Sequence, residues 1–386
     1  MMAFIRLFCE QSWSVTFASA AKMSIHMADL SSLGVSVATI ELNSDCFDLF
    51  VAELKPDIVL FDRFMTEEQY GWRVAEQVPD ALRILDMEDL HTLRLARQKA
   101  AKQQRPFVLD DLLGEVAFRE IAAIYRCDLS LVVSDYEMQL LTEHFKVPIE
   151  LLHHQPFMLE PPQAAETMPS FEQRQHFITI GNFRHPPNWD SVLWLKQTIW
   201  PAIRQHLPKA ELHIYGAYPP PKATQLHNPK QGFYIKGWVE DAMKVMRGAR
   251  VCLAPLRFGA GIKGKLADAM SQGTPNVTTA IGAEAMQGEL PWSGLVADEA
   301  ELFVNAALQL YDDQLLWQQK QAAGFSIIEQ FFDRAARGTM LWLKLEHCLA
   351  QREHRRLDNF TGQMLQHHQY KSTQYMSQWI AEKQRR

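Results

Sequence analysis

Short apolar runs alternate with segments whose apolar residues recur every three or four positions, from the start of the chain to about residue 340. That is the pattern of buried parallel strands alternating with helices. In the first part the runs 14–17, 35–40, 58–61, 82–85 and 129–133 predict strands. A second set follows at 177–180, 212–215, 233–235, 251–256 and 276–279. Between the two sets the stretch HHQPFMLEPPQAAETMPS has prolines at 156, 161, 162 and 169 and little periodicity, which marks a linker. The expected fold class is α/β, with a doubly wound half over 1–155, a linker over 156–172, a second doubly wound half over 173–340 and a helical tail over 341–386. The tail is polar, rich in Gln, His and Arg, and is expected to extend in part from the body.

The span 251–286, VCLAPLRFGAGIKGKLADAMSQGTPNVTTAIGAEAM, reads as strand, glycine-rich loop, helix and strand. Gly259, Gly261 and Gly264 allow a tight turn and a close approach to a ligand, and Lys263 and Lys265 place positive charge where the next helix begins. Leu266, Ala269 and Met270 form one apolar helix face, Gly273 closes the helix, and Asp268 rides in its first turns. An anion such as a phosphate fits that arrangement, although a purely structural turn would use the same glycines. Two further polar clusters sit where strands are predicted to end. GNFRHPPNWD, 181–190, follows the strand at 177–180, and either lines a ligand or caps a helix through Asn188 or Asp190. DMEDLHTLRLAR, 86–97, follows the strand at 82–85 and brings Asp86, Glu88, Asp89 and His91 to the edge where open sheets bind ligands. Capping by Asp86 or Glu88, with Arg94 and Arg97 paired to acids on a solvated face, is the structural alternative. Asp62 and Arg63 stand in the same position after 58–61. Ser134 with Glu137 has the spacing of a capping box, which stability alone explains.

These residues resemble the nucleotide-sugar core of the group 1 (family 4) glycosyltransferases. Asp268-Ala269-Met270 followed by Gly273-Thr274-Pro275 stands for the family's acidic-Ala-Met triplet and Gly-x-Pro. Gly181-Asn182-Phe183 with His185-Pro186-Pro187-Asn188 matches the form of the first loop found in a subset of members. The resemblance implies the GT-B fold: two facing Rossmann-like domains, the donor site in the second. It implies that Gly181, Asn182, Arg184, Gly259, Gly261, Ile262, Lys263 and Lys265 line a nucleotide diphosphate sugar, with Asp268 on the ribose. It implies that His91 contacts the donor sugar and, with Glu88 beside it, forms the catalytic wall. Many members carry a Glu where this chain has Ala260, so the donor contact of that acid must be supplied otherwise. Members also open with a strand and glycine-rich loop; here 1–10 already reads as the following helix and 12–19 as the second strand. The expectation is that the first strand of the N-terminal domain is missing, through a misassigned start, a truncation or replacement by another segment, the first being favoured.

Composition narrows this picture. The chain has 386 residues, 47% hydrophobic, enough for two cores. With 39 Lys and Arg against 45 Asp and Glu, the formal net charge is -6, which argues against a nucleic-acid partner. Five scattered cysteines without CxxC spacing predict free thiols in a reducing compartment and no metal site. No run is long enough to cross a membrane, so a cytoplasmic protein is expected. The tail's Arg352, Arg355, Arg356, Lys371, Lys383, Arg385 and Arg386, among Phe360, Tyr370, Tyr375 and Trp379, either rest on an anionic membrane face or pack across the first half, the latter being favoured. The implied reaction is transfer of a sugar from a nucleotide diphosphate sugar to an acceptor hydroxyl with retention, in cell-surface polysaccharide or glycoconjugate synthesis. It needs no cofactor, and no Asp-x-Asp motif is present to bring a metal. The acceptor stays open. The alternatives are a catalytically impaired GT-B protein that binds a nucleotide sugar or a partner, and a sugar-nucleotide epimerase, against which the lack of a clear pair of cleft carboxylates counts.

Overall fold

The computed structural model describes residues 1–22 and 27–367, with Tyr375 and Lys383 beyond them. In the first half β1 (Thr16–Ser19) and β2 (Ser36–Thr39) pair only with each other. A separate four-stranded sheet runs β3 (Ile58–Asp62), β4 (Leu82–Asp86), β5 (Leu129–Val132) and β6 (Leu152–His154), in that order and all parallel. β6 was not among the predicted strands; its LeuHisHis run has no apolar alternation, and only pairing with β5, Ser130 opposite Leu152, makes it a strand. Among the described residues no strand joins β1 to β3. The helix Met2–Glu10 packs across the two sheets instead. Phe4 and Leu7 lie on the face of β4 and β5 with Leu82, Ile84, Leu129 and Leu131, while Ile5 meets Leu30 and Val35.

Alternation along the strands covers both faces with helices. In the second half β7 (Phe177–Ile180), β8 (Leu212–Tyr215), β9 (Phe233–Gly237), β10 (Val251–Ala254), β11 (Asn276–Thr278) and β12 (Gly294–Val296) form one parallel sheet in the order β12-β11-β10-β7-β8-β9. Val251 and Leu253 pack on one face with Trp200, Phe303 and Leu310, and Cys252 and Ala254 turn to the other. β12, the short edge strand, was not predicted: its three residues, Gly-Leu-Val, give too little pattern. The three glycines of the loop divide differently from expectation. Only Gly261 has a left-handed backbone, φ +61°, and Gly259 and Gly264 would meet an added Cβ at no closer than 3.8 Å.

The chain then returns to the first half. The helix Arg334–Ala350 places Leu341, Leu345 and Cys348 on the β4–β5 face, so the break expected at 341 falls inside a helix. Over its described part the tail packs across the first half, the favoured of the two expectations, and does not extend from the body. Helix Arg352–Asp358 lies on the first half because a buried acid and backbone carbonyls there bind its arginines, and helix Phe360–Gln366 follows it, with Asn359 and Gln366 donating to Tyr125 O and Arg126 O at 2.8 and 3.1 Å. Arg356 donates to Asp128 Oδ1 and Oδ2 at 2.6 and 2.7 Å and to Ala81 O at 2.7 Å, and Arg355 donates to Asp128 O at 2.9 Å. Arg352 pairs with Asp80. The tail's Tyr370, Lys371, Trp379, Arg385 and Arg386 lie outside the described residues. Among the described residues no helix is long and apolar enough to cross a membrane. All five cysteines are free thiols, with Cys127, Cys252 and Cys348 buried.

Candidate functional site

β7 and β10 are neighbours at the centre of the second sheet, with β8 and β9 continuing to one side and β11 and β12 to the other. Their loops therefore diverge at a topological switch point, where open parallel sheets leave a crevice beyond the strands' carboxyl ends. Asn188, in the first turn of the helix Pro186–Trp194, joins the two loops. Its Nδ2 donates to Asn182 O at 3.1 Å and its Oδ1 accepts from Lys265 Nζ at 2.8 Å. Gly181 is needed beneath it, since a Cβ there would come within 2.5 Å of Asn188 Nδ2. Neither Asn188 nor Asp190 caps this helix: His185 stands at its N-cap, and Asp190 pairs with Arg257 at 2.5 Å.

Lys265 and Asp268 lie three residues apart on one face of the helix Gly264–Ser271. Burial lowers the Lys265 ammonium to about 8 and raises the Asp268 carboxyl to about 6. Among the described residues no group donates a hydrogen bond to the Asp268 carboxylate. Lys263, in contrast, turns inward. It is 7% exposed, its Nζ donates to Gly261 O at 2.7 Å, and burial lowers it to about 8. Ile262 puts its side chain into the core beside Val133 and Leu266, leaving only its backbone to a ligand. Arg184 is exposed, with its guanidinium 3.9 Å over the Tyr218 ring.

The opposite wall is the carboxyl edge of β4. Asp86 is buried there, and burial together with the charge of Glu88 raises it to about 7. Glu88 itself is exposed, held at φ +62°. The wall thus brings carboxylates together, contrary to the sequence reading that found no clear pair. His91 begins the helix His91–Lys102 and sits edge-on to Phe64 at 5.4 Å. Its Nδ1 is 3.1 Å from Asp89 Oδ1 and 3.6 Å from Glu120 Oε1. Burial works against the imidazolium, but the Glu120 hydrogen bond and the charges of Asp89 and Glu120 outweigh it, so the pKa is raised. No side chain of 86–90 caps this helix. Glu120 accepts from His91 N at 2.9 Å and Thr92 N at 3.0 Å, and Glu137 accepts from Leu90 N at 2.9 Å. His185 faces this wall from the second half; it keeps solvent exposure, yet the surrounding protein and the Arg94 charge lower its pKa.

The two halves meet at residues 259–261. Arg97 Nη1 donates to Gly259 O at 3.0 Å, and its guanidinium binds Glu284 through two bonds of 2.8 and 2.7 Å. Glu137 Oε1 accepts from Gly261 N at 2.7 Å. Arg94 does pair locally, with Asp89 at 2.7 Å, but Arg97 is buried and crosses the cleft rather than lying on a solvated face. Sequence reasoning passed over Glu120 and Glu284, and read Glu137 only as part of a capping box. For Glu284 a signal existed, its place just beyond β11 at the ligand-binding edge. For Glu137 the capping-box spacing concealed a side chain that leaves its own helix: only Ser134 Oγ, accepting from Glu137 N at 3.4 Å, keeps the local cap.

Residues 174–313 match the family described as Glycosyl transferases group 1. None of the curated proteins matches the chain significantly. Among solved structures, HepE from Anabaena in complex with UDP and glucose superposes with a TM-score of 0.69 at 11% identity, over 89% of this chain and 95% of that one. Sucrose-phosphate synthase from Thermosynechococcus elongatus gives 0.67 at 15% identity, over 89% and 91%. TarM from S. aureus gives 0.60 at 12% identity; the similarity covers 77% of this chain and 57% of TarM, so the chain spans little more than half of that protein. At such identities these likenesses establish the fold, which is GT-B with two Rossmann-like halves. The family match falls on the second half, the part that carries the loops after β7 and β10.

Proposed function

We propose that the protein transfers a glycosyl group from a nucleotide diphosphate sugar to an acceptor hydroxyl with retention, in the manner of family 4, and that it serves cell-surface polysaccharide or glycoconjugate synthesis. The observation that carries this reading is the convergence of Gly181, Asn182, Asn188 and Lys265 at the switch point, with the Asp268 carboxylate, which accepts no hydrogen bond among the described residues, one helical turn further on. Asp268 is suited to accept hydrogen bonds from ribose hydroxyls. Lys265 and the loop's backbone N–H groups are suited to the diphosphate. As the glycosidic bond breaks, negative charge grows on the leaving phosphate, and preorganised donors in a buried site stabilise it more than water would. His91, fixed by Asp89 and Glu120 and by the bonds to its own N–H, would meet the donor sugar from the first half, with Glu88 at the same edge. In this reading 173–340 holds the donor, 1–155 the acceptor, and 156–172 links them. No cofactor or metal enters the scheme. HepE was solved with UDP and glucose, and WaaG, another structural neighbour, is involved in lipopolysaccharide biosynthesis, which supports the donor class and the pathway class. Cytoplasmic placement goes with such a donor.

The test is calorimetric binding of UDP, GDP, ADP and TDP to the protein and to Lys265→Ala. One diphosphate is expected to bind selectively, and the variant to bind it about tenfold more weakly, the worth of one charge-assisted contact. Retention is checked by the anomeric configuration of the first product formed. Equal binding by both proteins would remove Lys265 from the site. A second reading, a GT-B protein that binds a nucleotide sugar without transferring it, is favoured by Ala260 in place of an acid. Binding of a donor without turnover over a panel of acceptors would select it.

A further inference from the structure

Glu137 reaches from the first half to a backbone amide of the very loop assigned above to the diphosphate. It is 1% exposed, its Oε1 accepts from both Gly261 N and Leu90 N, and its Oε2 is buried with no hydrogen-bond partner among the described residues. Arg97 holds the other side of the same turn through Gly259 O and Glu284. Between these points Ala260 packs against the first-half core. The Gly261 backbone lies so close to the wall that an added Cβ would come within 3.0 Å of Asp89 Cβ and 3.3 Å of Glu88 O. An acidic side chain at 260 would have to enter that apolar core next to Glu137, at the cost of a desolvated charge. Protein contacts alone therefore seat residues 259–261 on the first half.

A carboxyl oxygen 2.7 Å from Gly261 N fills the direction in which that N–H could hold a phosphate oxygen. We propose that Glu137 and Arg97 form a latch on the loop, and that the diphosphate of the donor replaces Glu137 at the Gly261 N–H. This rests on the reading of 259–265 as the diphosphate loop. Donor binding and release of the latch are then one event, and the share of molecules with the latch closed lowers the apparent affinity for any nucleoside diphosphate. Because Glu137 also holds Leu90 N, the residue before His91, release is felt at the start of the His91 helix.

The variants separate the two ideas. Glu137→Ala frees the Gly261 N–H and is expected to tighten binding of the nucleoside diphosphate about five- to tenfold, the effect of removing one competing hydrogen bond. Glu137→Gln keeps an acceptor oxygen and should stay within about twofold of the parent. Arg97→Met loosens the latch without touching Gly261 N and should tighten binding by a smaller factor, about two- to threefold. Calorimetry with the UDP, GDP, ADP and TDP panel reads these changes, and thermal unfolding shows that each variant is folded. Unchanged or weaker binding by folded Glu137→Ala overturns the latch; if that variant does not fold, unchanged or weaker binding by Arg97→Met does so. If the parent binds no nucleoside diphosphate, or Lys265→Ala binds as well as the parent, the loop is not the diphosphate site, and the latch falls with that assignment. If the parent binds, Lys265→Ala binds weakly and Glu137→Ala does not tighten, the site stands and only the latch fails.

Discussion

Individual residues in this protein depart from their sequence roles where backbone or burial constrains them. Ala285 sits at φ +59°, directly after the Glu284 that Arg97 grips. A Cβ in the left-handed region costs about 1 kcal/mol or more, and glycine removes that cost while adding unfolded-state entropy. Ala285→Gly is therefore expected to stabilise the protein by about 0.5–1 kcal/mol, read as a higher urea midpoint. Glu137 gives a pH dependence. Burial raises its carboxyl from an ordinary 4.5 to about 8, so over that interval the folded chain keeps a proton that the unfolded chain releases. Its contribution is complete below the unfolded pKa and is lost as pH rises through about 8. The urea midpoint should fall between pH 5 and pH 8.5, and Glu137→Gln, which has no proton to lose, should fall less. Asp86 and Asp268, also raised by burial, keep part of the slope. An equal fall in both proteins would mean that Glu137 is ionised in the fold. Lys263 and Lys265 share one loop motif and one charge, yet the first serves Gly261 O and the second Asn188, so the sequence had no means of ranking them.

Among elements, the carboxyl ends of β4, β7 and β10 carry the candidate site, and the tail helices carry a share of the anchoring. Asp128 is 5% exposed and is held by Arg356 on two oxygens, with Arg83 Nε at 3.8 Å. Removing Arg356 leaves a buried carboxylate with one distant cation. Arg356→Ala should cost about 2–4 kcal/mol, toward the lower end for a buried pair because the arginine side is partly exposed. The same change should open the tail after residue 350 to limited proteolysis, and an unchanged cleavage pattern would show that the hydrogen bonds of Asn359 to Tyr125 O and of Gln366 to Arg126 O suffice. Packing of this tail across the first half was expected from the sequence, but the carbonyls and the acid that its arginines find there are partners that no local pattern displays. Strands of four or five apolar residues were legible for a local reason: buried parallel strands are apolar on both faces. β6 and β12, three residues each, were not, because their pairing with β5 and β11 is what makes them strands.

At the scale of the whole molecule, the cleft is bridged by Arg97 with Glu284 and Gly259, and by Glu137 with Gly261. The double variant Glu137→Ala, Arg97→Ala is expected to enlarge the radius of gyration measured by small-angle scattering, and an unchanged value would place the closure elsewhere. The sequence by itself determined the repeated strand and helix pattern, the glycine-rich turn with its lysines and acid, and the order of loops at the strand ends, because each is written within a few tens of consecutive residues. It also carried the resemblance from which the GT-B fold was expected. Only the tertiary structure decided which side chains meet across the cleft. Arg97 and Glu284, like Glu137 and Gly261, are far apart in the chain and each has an ordinary local explanation, a helix-surface charge or a cap. Their contacts arise because two independently patterned halves are brought face to face, and a local pattern holds no record of what stands on the opposite wall.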